Sequence, residues 1–293
     1  MKKYRGIFPA LVTPFDEKGR VDADRMQRLV EKNLRQDVAG FYVGGSTAES
    51  YLLSMDERKY ALEAVMEAVQ GTEASVIANV GVFATEHGLA LADHARRAGV
   101  SAISSVPPFY FPFCMEEYIH YYNTLAERAQ MPVILYNIPA MSGVTFKKED
   151  IQRLFENENI IGMKHTSYDL FQLQQLIQEY PEKNIFIGHD EILLCAFSVG
   201  AEAAIGSTFN FMAEKFVRLA KLMNEGKQRE ALKLQDQANR VIQVLCEVGV
   251  FKGVKAALKF QGYDCGLCRE PFLPLSKREE RRLYETLLEN DCL

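Results

Sequence analysis

The sequence repeats one short feature, an apolar run rich in β-forming residues, at intervals of about 25 to 30 residues. Helical patterns with polar outer faces fill the intervals. Continuously apolar strands that alternate with such helices are typical of a parallel sheet covered by helices. Eight units over about 210 residues predict a closed (β/α)8 TIM barrel, with a doubly wound open sheet as the competing architecture. The runs span residues 6–14, 40–45, 75–81, 101–107, 132–139, 159–165, 184–190 and 203–208.

The β pattern stops after the eighth run, and only helical patterns follow. The segments near 212–224, 227–248, 252–261 and 276–289 are apolar with helical periodicity. We expect the first to close the barrel and the other three to pack on it, because no low-complexity linker separates them. The predicted organisation is a barrel domain at 1–225 and a C-terminal three-helix extension at 226–293. Two capping boxes predict helix starts: Ser54 with Glu57, and Ser276 with Glu279.

Composition excludes several classes of protein. The formal net charge of -5 is spread along the chain and no long basic run occurs, so nucleic acid is not an expected partner. No apolar run reaches about 18 residues, and prolines interrupt the stretch after the basic start, so we expect a cytoplasmic protein without a membrane span. The six cysteines are scattered, as in proteins with reduced thiols. Cys265 and Cys268 have metal-ligand spacing, but no second pair stands nearby, and we expect no metal.

Polar residues and glycines follow six of the eight predicted strands. In a TIM barrel the carboxyl ends of the strands form the active-site face, so these residues are expected to converge. The segments concerned are Gly44–Glu49 after the second strand, Pro107–Tyr110 after the fourth, Tyr136–Pro139 at the fifth, Lys164 at the sixth, Gly188–Glu191 after the seventh and Gly206–Thr208 after the eighth.

Lys164 ends an otherwise apolar run, "IIGMKH", where a charged side chain is unusual. By strand alternation Gly162 and Lys164 share one face, and Ile161, Met163 and His165 face the helices if Lys164 faces the barrel axis. Gly162 would then leave room beneath the amine. A lysine in that semi-dry interior loses part of its preference for charge, which frees a lone pair for Schiff-base formation. The alternative is a strand-end lysine that extends to solvent or neutralises Asp190 or Glu191.

Other strand-end residues allow two roles each. Tyr136 is expected beside Lys164, where a phenol can shuttle protons, although buried tyrosines commonly only pack and bond one carbonyl. The turn "GGSTAE" suits anion binding by backbone amides and hydroxyls, helped if a short helix begins there. Asp190, Glu191 and Ser207 suit a polyol, and one of the two carboxylates is expected to cap the helix that follows.

The ordered motifs "GGSTAES", "PPFYFPF", "YNIPAMSGV", "GMKHTSYDL", "GHDE", "GSTFN" and "GVFKGVKAAL" resemble the sialic acid aldolase branch of the dihydrodipicolinate synthase-like class I aldolases. The resemblance covers nearly the whole chain. It implies a cofactor-free Schiff-base enzyme, usually a homotetramer, that reversibly cleaves N-acetylneuraminate, a sialic acid, to pyruvate and N-acetylmannosamine.

The resemblance also implies roles for individual residues. Lys164 would be the Schiff-base lysine, Tyr136 the proton-relaying phenol and Tyr110 a residue at a subunit interface that approaches a neighbouring site. The remaining roles concern substrate binding: Ser46 and Thr47 would bind the pyruvyl carboxylate, Gly188, Asp190, Glu191 and Ser207 the sugar hydroxyls, and Thr166 would lie close by.

Three positions bear on substrate choice. Met141 stands where dihydrodipicolinate synthases carry an arginine for a second carboxylate, which disfavours a dicarboxylate substrate. Ala48 replaces the usual glycine and would be strained at positive φ. His189 replaces the commoner aromatic residue and leaves the sugar-tail preference open. There are two alternatives: an aldolase for another 2-keto-3-deoxy sugar acid, and a non-catalytic sensor of the same ligands. A comparison of substrates tests the first, and trapping of an adduct on Lys164 tests the second.

Overall fold

The computed structural model describes residues 4–293 and consists of a ring of eight parallel strands surrounded by helices. All eight predicted strands are present, each within or close to its predicted run. They pair in the order β1-β8-β7-β6-β5-β4-β3-β2. Their bounds are β1 Gly6–Pro9, β2 Gly40–Val43, β3 Ser75–Asn79, β4 Ala102–Ser105, β5 Val133–Asn137, β6 Ile160–His165, β7 Asn184–Ile187 and β8 Ala203–Gly206.

Backbone hydrogen bonds between β1 and β2 close the ring. The Ala39 N–H donates to the Ile7 carbonyl at 2.9 Å, and the Leu11 N–H donates to the Tyr42 carbonyl at 2.9 Å. A doubly wound sheet has two open edges and a reversal of strand order, and this sheet has neither. The predicted (β/α)8 barrel is therefore confirmed.

Twelve α-helices accompany the strands in the described part of the chain. Both predicted capping boxes are present, at Ser54 with Glu57 and at Ser276 with Glu279. The helices are α1 Ala23–Leu34, α2 Met55–Ala68, α3 Thr85–Ala98, α4 Met115–Arg128, α5 Pro139–Ser142, α6 Lys148–Phe155, α7 Leu170–Glu179, α8 Leu193–Ser198, α9 Phe209–Asn224, α10 Gln228–Val248, α11 Val250–Phe260 and α12 Lys277–Glu289.

Helix α9 completes the barrel and α10 to α12 form the predicted helical tail. Asn210 at the start of α9 donates to the Ala10 carbonyl at 2.7 Å and accepts from the Val12 N–H at 3.2 Å, which fixes α9 to the end of β1. The four helical segments predicted after the last strand are thus confirmed. The division into domains at 1–225 and 226–293 stays a prediction.

Strand alternation separates two apolar cores. Val76 and Ile185 pack outward against the helices, whereas their neighbours Ile77 and Phe186 fill the barrel interior. Every residue of β5 is buried, as expected for a strand that is covered on both faces.

The prediction that Ile161 faces the helices is wrong, because β6 carries a bulge. Val133 pairs with Ile160, but the next residue of β5 pairs with Gly162, so Ile161 is an extra residue and joins the interior cluster. The reason given for Gly162 also changes. A Cβ there would lie 2.0 Å from the Asn184 carbonyl oxygen, so glycine permits the close approach of β7 rather than creating room under Lys164.

This contact predicts the effect of a methyl group at Gly162. We expect Gly162→Ala to lower the free energy of unfolding by about 1–3 kcal/mol, because the strands must separate to admit the Cβ. Gly88→Ala is the matched control, since a Cβ at this helical position would meet its nearest atom at an ordinary 3.4 Å. Thermal or urea unfolding measures both, and equal stabilities of the two variants would contradict the explanation.

Candidate active site

Lys164 lies one residue before the end of β6, inside the barrel, and is only 4% exposed. Its Nζ atom lies 4.0 Å from the centroid of the Tyr136 ring and 4.8 Å from that of Tyr42. Aromatic faces attract an ammonium group without neutralising it. Among residues 4–293, no carboxylate oxygen lies within 4.0 Å of the Lys164 nitrogen, so the alternative roles of a solvated or ion-paired strand-end lysine do not apply.

The space beside Lys164 depends on Gly188, which follows β7. A Cβ at Gly188 would lie 3.1 Å from Lys164 Cε and 1.9 Å from Thr166 Oγ1. The structure therefore brings together the predicted residues Gly188, Thr166 and Lys164. Within the described part of the chain the buried Thr166 hydroxyl has no hydrogen-bond partner. Buried hydroxyls are normally satisfied, so a bound water or ligand is expected here.

The "GGST" turn forms a short 3-10 helix at Ser46–Ala48, so the short helix that would help anion binding is present. Thr47 Oγ1 lies 2.7 Å from Ser207 Oγ, so the predicted residues after β2 and β8 meet. Ala48 does not have positive φ, and the anticipated strain at this residue is absent. The left-handed position is the next residue, Glu49, with φ of +57°.

Asp190 lies in the turn that follows β7, and its carboxylate is buried. Asp190 Oδ2 accepts from the Thr208 N–H at 2.8 Å and from the Thr208 hydroxyl at 2.7 Å. Burial raises the pKa of the Asp190 carboxyl to about 6, although the Thr208 donors and the Lys164 charge oppose the shift. This environment keeps a proton-exchanging group close to the candidate site.

Glu191 has the opposite electrostatic environment. Its Oε1 atom accepts from the Tyr168 hydroxyl at 2.6 Å and lies 3.1 Å from His189 Nδ1. Burial acts to raise the pKa of the Glu191 carboxyl. The hydrogen bonds from His189 and Tyr168 outweigh this effect, and the pKa is lowered to about 2. The Tyr168 and His189 rings stack with centroids 4.2 Å apart, which fixes both donors.

The prediction that one of these two carboxylates caps the following helix is wrong. The chain makes a 3-10 turn at Asp190–Ile192, and Ile192, which has no capping side chain, precedes α8. This turn directs Asp190 toward β8 and Glu191 toward the loop after β6. Two side chains of α10 hold the turn itself: Gln235 donates to the Asp190 carbonyl at 3.0 Å and Asn239 to the Glu191 carbonyl at 3.0 Å.

Tyr110 lies apart from the other predicted site residues. It is 74% exposed and contacts Phe83 and Phe111 in an aromatic cluster at the surface. The cluster continues through Phe109 to Tyr51. In the single chain Tyr110 therefore makes no contact with Lys164, and any role in the site requires another subunit.

A cavity of about 370 Å³ opens above the ends of β2, β4 and β5. Its lining includes Ser46 of the predicted anion-binding turn, Ile138, Met141 and Phe251. The lining near Met141 is apolar, so this part of the mouth offers no cation for a second carboxylate. Of the predicted site residues, only Ser46 lines this cavity.

Several residues of the site were missed in the sequence. Tyr42 could have been found by alternation, since it precedes the glycines of the second strand by two residues and must share the inner face. Thr208 lies in the predicted segment Gly206–Thr208 but was given no role of its own. Tyr168, Gln235 and Asn239 carry no local signal, because their partners are distant in the chain.

Neither the cysteines nor the histidines form a second centre. Within residues 4–293, no group of three or more His, Cys, Asp and Glu side chains has a metal-binding arrangement. All six cysteines are free thiols, and burial raises the pKa of Cys265 and of Cys268 to about 12. Across the described residues, no helix is long and apolar enough to span a membrane.

The family model described as the dihydrodipicolinate synthetase family matches residues 3–290. Among similar proteins, the N-acetylneuraminate lyase of Rhizobium meliloti is 41% identical over 97% of this chain and 95% of its own. The N-acetylneuraminate lyase of Citrobacter koseri is 39% identical over 94% of both chains.

Solved structures agree with this match. The structure of CdNal from Clostridium difficile in complex with mannosamine is 35% identical, covers 98% of this chain and 99% of its own, and has a TM-score of 0.94. The catalytic lysine mutant of Ruminococcus gnavus sialic acid aldolase is 31% identical, covers 98% and 97%, and also has a TM-score of 0.94.

The raised pKa of Asp190 predicts a pH dependence of stability. A carboxyl whose pKa is about 6 when folded and 3.8 ordinarily favours the folded state when protonated, so its contribution declines as pH rises from about 4 to about 6. Asp190→Asn lacks this titration. Relative to the native protein, we expect its free energy of unfolding to rise across that window by about 2 kcal/mol, measured by urea unfolding.

Glu191→Gln serves as the control with the opposite sign. Its carboxyl has an ordinary pKa of 4.5 and a folded pKa of about 2, so its stabilisation is complete above about 4.5 and is lost as pH falls toward 2. The stability difference between native protein and Glu191→Gln should therefore shrink on acidification. A pH-independent difference for Asp190→Asn would contradict the buried-acid assignment.

Proposed function

The chain belongs to the dihydrodipicolinate synthetase family, and we propose from its site that Lys164 and Tyr136 carry out its chemistry. It is a Schiff-base aldolase, a carbon–carbon lyase that cleaves N-acetylneuraminate reversibly to pyruvate and N-acetylmannosamine. The Lys164 amine supports the proposal most directly, because it is buried beside two tyrosine rings without a carboxylate partner.

Substrate binding begins at the "GGST" turn in this proposal. Ser46 and Thr47, with the backbone amides of their 3-10 helix, bind the carboxylate of the open-chain keto acid. The hydroxyl pair of Thr47 and Ser207 supplies a further donor. Because the anion is bound by local dipoles and by Lys164, the overall acidic charge of the chain does not oppose it.

The chemical steps use Lys164 as nucleophile and electron relay. Its neutral amine adds to the C2 ketone, and loss of water gives a protonated imine. As the C3–C4 bond breaks, its electron pair moves toward the imine and forms an enamine. Protonation at C3 and hydrolysis of the imine then release pyruvate and regenerate the amine. The imine is the electron sink for the whole reaction.

Tyr136 relays the proton that the cleavage releases. Its ring centroid lies 4.0 Å from the Lys164 nitrogen in the barrel interior, and this closeness supports the role. The C4 hydroxyl gives its proton to the phenol oxygen as the phenol passes its own proton to the substrate carboxylate. The C4 oxygen becomes the aldehyde of N-acetylmannosamine.

The polyhydroxylated part of the substrate is assigned to the loops after β6, β7 and β8. The backbone at Gly188, the hydroxyls of Thr166 and Ser207 and the carboxylates of Asp190 and Glu191 offer both donors and acceptors. Glu191 has one oxygen occupied by Tyr168 and His189, which leaves the other for a sugar hydroxyl. Met141 in place of a cation is consistent with a single carboxylate in the substrate.

Tyr136→Phe separates adduct formation from turnover. We expect this variant to form a borohydride-stable pyruvate adduct on Lys164, as the native protein does, while kcat falls by about 10²- to 10⁴-fold because the proton relay is lost. Mass spectrometry of the trapped protein and an assay of pyruvate release measure the two steps.

Lys164→Met is the control that abolishes trapping. If borohydride traps the pyruvate adduct of the native protein on a different lysine, or traps no adduct, the Schiff-base assignment is contradicted. Unchanged turnover in Tyr136→Phe would remove the phenol from the mechanism and leave Lys164 in place.

The protein is further proposed to be a cytoplasmic homotetramer. The exposed aromatic cluster around Tyr110 and Phe111 supports contact with a second copy, since a patch of this kind is costly in water. Phe111→Glu should therefore shift the mass measured by light scattering below four chains, whereas an unchanged mass would place the interface elsewhere.

A further inference from the structure

Glu49 combines two unfavourable features directly after the proposed carboxylate-binding turn. Its backbone is left-handed, with φ of +57° and ψ of 33°, a conformation that side chains other than glycine and asparagine rarely adopt. Its carboxylate side chain is also completely buried. Strained or costly residues persist only where the surroundings enforce them, and they cluster at functional sites.

The surroundings of the Glu49 carboxylate come from the helical tail. Lys255 of α11 places its Nζ 2.7 Å from Glu49 Oε1, and the Lys255 side chain is only 2% exposed. The Arg269 N–H donates to Glu49 Oε2 at 2.7 Å. Lys255 also donates to the Leu267 carbonyl at 3.1 Å and lies 4.2 Å from the centroid of the Phe15 ring. The two opposite charges therefore face each other in a site closed to solvent, and their contact is an ion pair by distance, since Glu49 Oε1 makes no hydrogen bond of regular geometry.

Glu49 transmits this attachment to the turn through its backbone. Its N–H donates to the Ser46 carbonyl at 3.0 Å and ends the 3-10 helix that carries Ser46 and Thr47. The Thr13 hydroxyl donates to the Ala48 carbonyl at 2.8 Å and supports the same turn from the side of β1. The residue whose side chain is held by the helical tail is thus also the residue that closes the turn.

Stability alone does not account for such a pair. Burying two charges is costly, and apolar residues of similar size commonly stabilise a core as well or better. Unlike apolar contacts, contacts to a carboxylate depend on direction, and here Lys255 holds one oxygen of Glu49 while the backbone N–H of Arg269 holds the other. The buried charges lie directly beside the Ser46–Thr47 turn, whose hydrogen-bond donors must converge on a small anion.

We propose that the buried Glu49–Lys255 pair is a positioning device, which holds the Ser46–Thr47 turn in the shape that binds the carboxylate of a 2-keto acid. Neither residue contacts the substrate; both act through the turn. The proposal rests on the function proposed above, in which this turn binds the pyruvyl carboxylate. It gives the helical tail a role in substrate affinity.

Two ketones test the proposal on the full-length protein. Pyruvate carries the carboxylate, whereas methyl pyruvate presents the same ketone without the charge. Borohydride trapping on Lys164 at increasing ketone concentration gives a half-saturating concentration for each. We expect Glu49→Gln and Lys255→Met each to raise the half-saturating concentration of pyruvate roughly tenfold. The half-saturating concentration of methyl pyruvate should rise less than about twofold.

Controls separate positioning from folding. Glu247→Gln breaks an exposed ion pair with Arg282 in the same helical tail, 2.6 Å long, and should change neither value. The double variant Glu49→Gln with Lys255→Met leaves no unpaired buried charge, so it should melt closer to the native protein while the defect for pyruvate persists.

The outcomes distinguish this proposal from the one on which it rests. Equal effects on both ketones, or a double variant that recovers pyruvate affinity together with its melting temperature, would reduce the pair to a structural role. Native protein that traps neither ketone would instead refute the Schiff-base function.

Discussion

An amine buried between aromatic rings is the interaction on which the rest of the site depends. Lys164 lies 4.0 Å from the Tyr136 ring and 4.8 Å from the Tyr42 ring, and both rings come from other strands. The ring faces attract a cationic group weakly and, unlike a carboxylate, form no ion pair with it, so the amine stays available to a ketone. The three side chains converge only because the sheet closes, since β2 joins β3 on one side and meets β1 on the other.

Two glycines allow the side chains of the candidate site to pack closely at this end of the barrel. The Gly188 position leaves room for Lys164 and Thr166, and a Cβ at Gly206 would lie 1.8 Å from Asp190 Oδ1. The two carboxylates that follow β7 then differ in charge because of their partners. Asp190 faces hydroxyl and amide donors in a buried position, whereas Glu191 is bound by Tyr168 and His189 near the mouth. One strand end therefore presents a weak acid and a persistent anion side by side.

The helical tail contacts the candidate site through two of its helices. Gln235 and Asn239 of α10 hold the turn that carries both carboxylates, and Lys255 of α11 holds the turn after β2. Both turns of the proposed substrate site are therefore attached to the same helical tail.

The sequence by itself predicted the fold and the face on which the candidate site lies. Apolar runs alternating with amphipathic helices predicted eight strands, and the carboxyl ends of parallel strands must gather at one face, so Lys164, Tyr136, Ser46, Thr47 and Asp190 were expected there before any coordinates, while their individual roles came from the family resemblance. Local patterns carry this information because periodicity and capping act over a few residues. The tertiary structure alone decided the bulge at Ile161, the partners of Asp190 and Glu191, the left-handed Glu49 and its pairing with Lys255. These features depend on which atoms meet across long separations in the chain, and close packing, which no local pattern encodes, selects them.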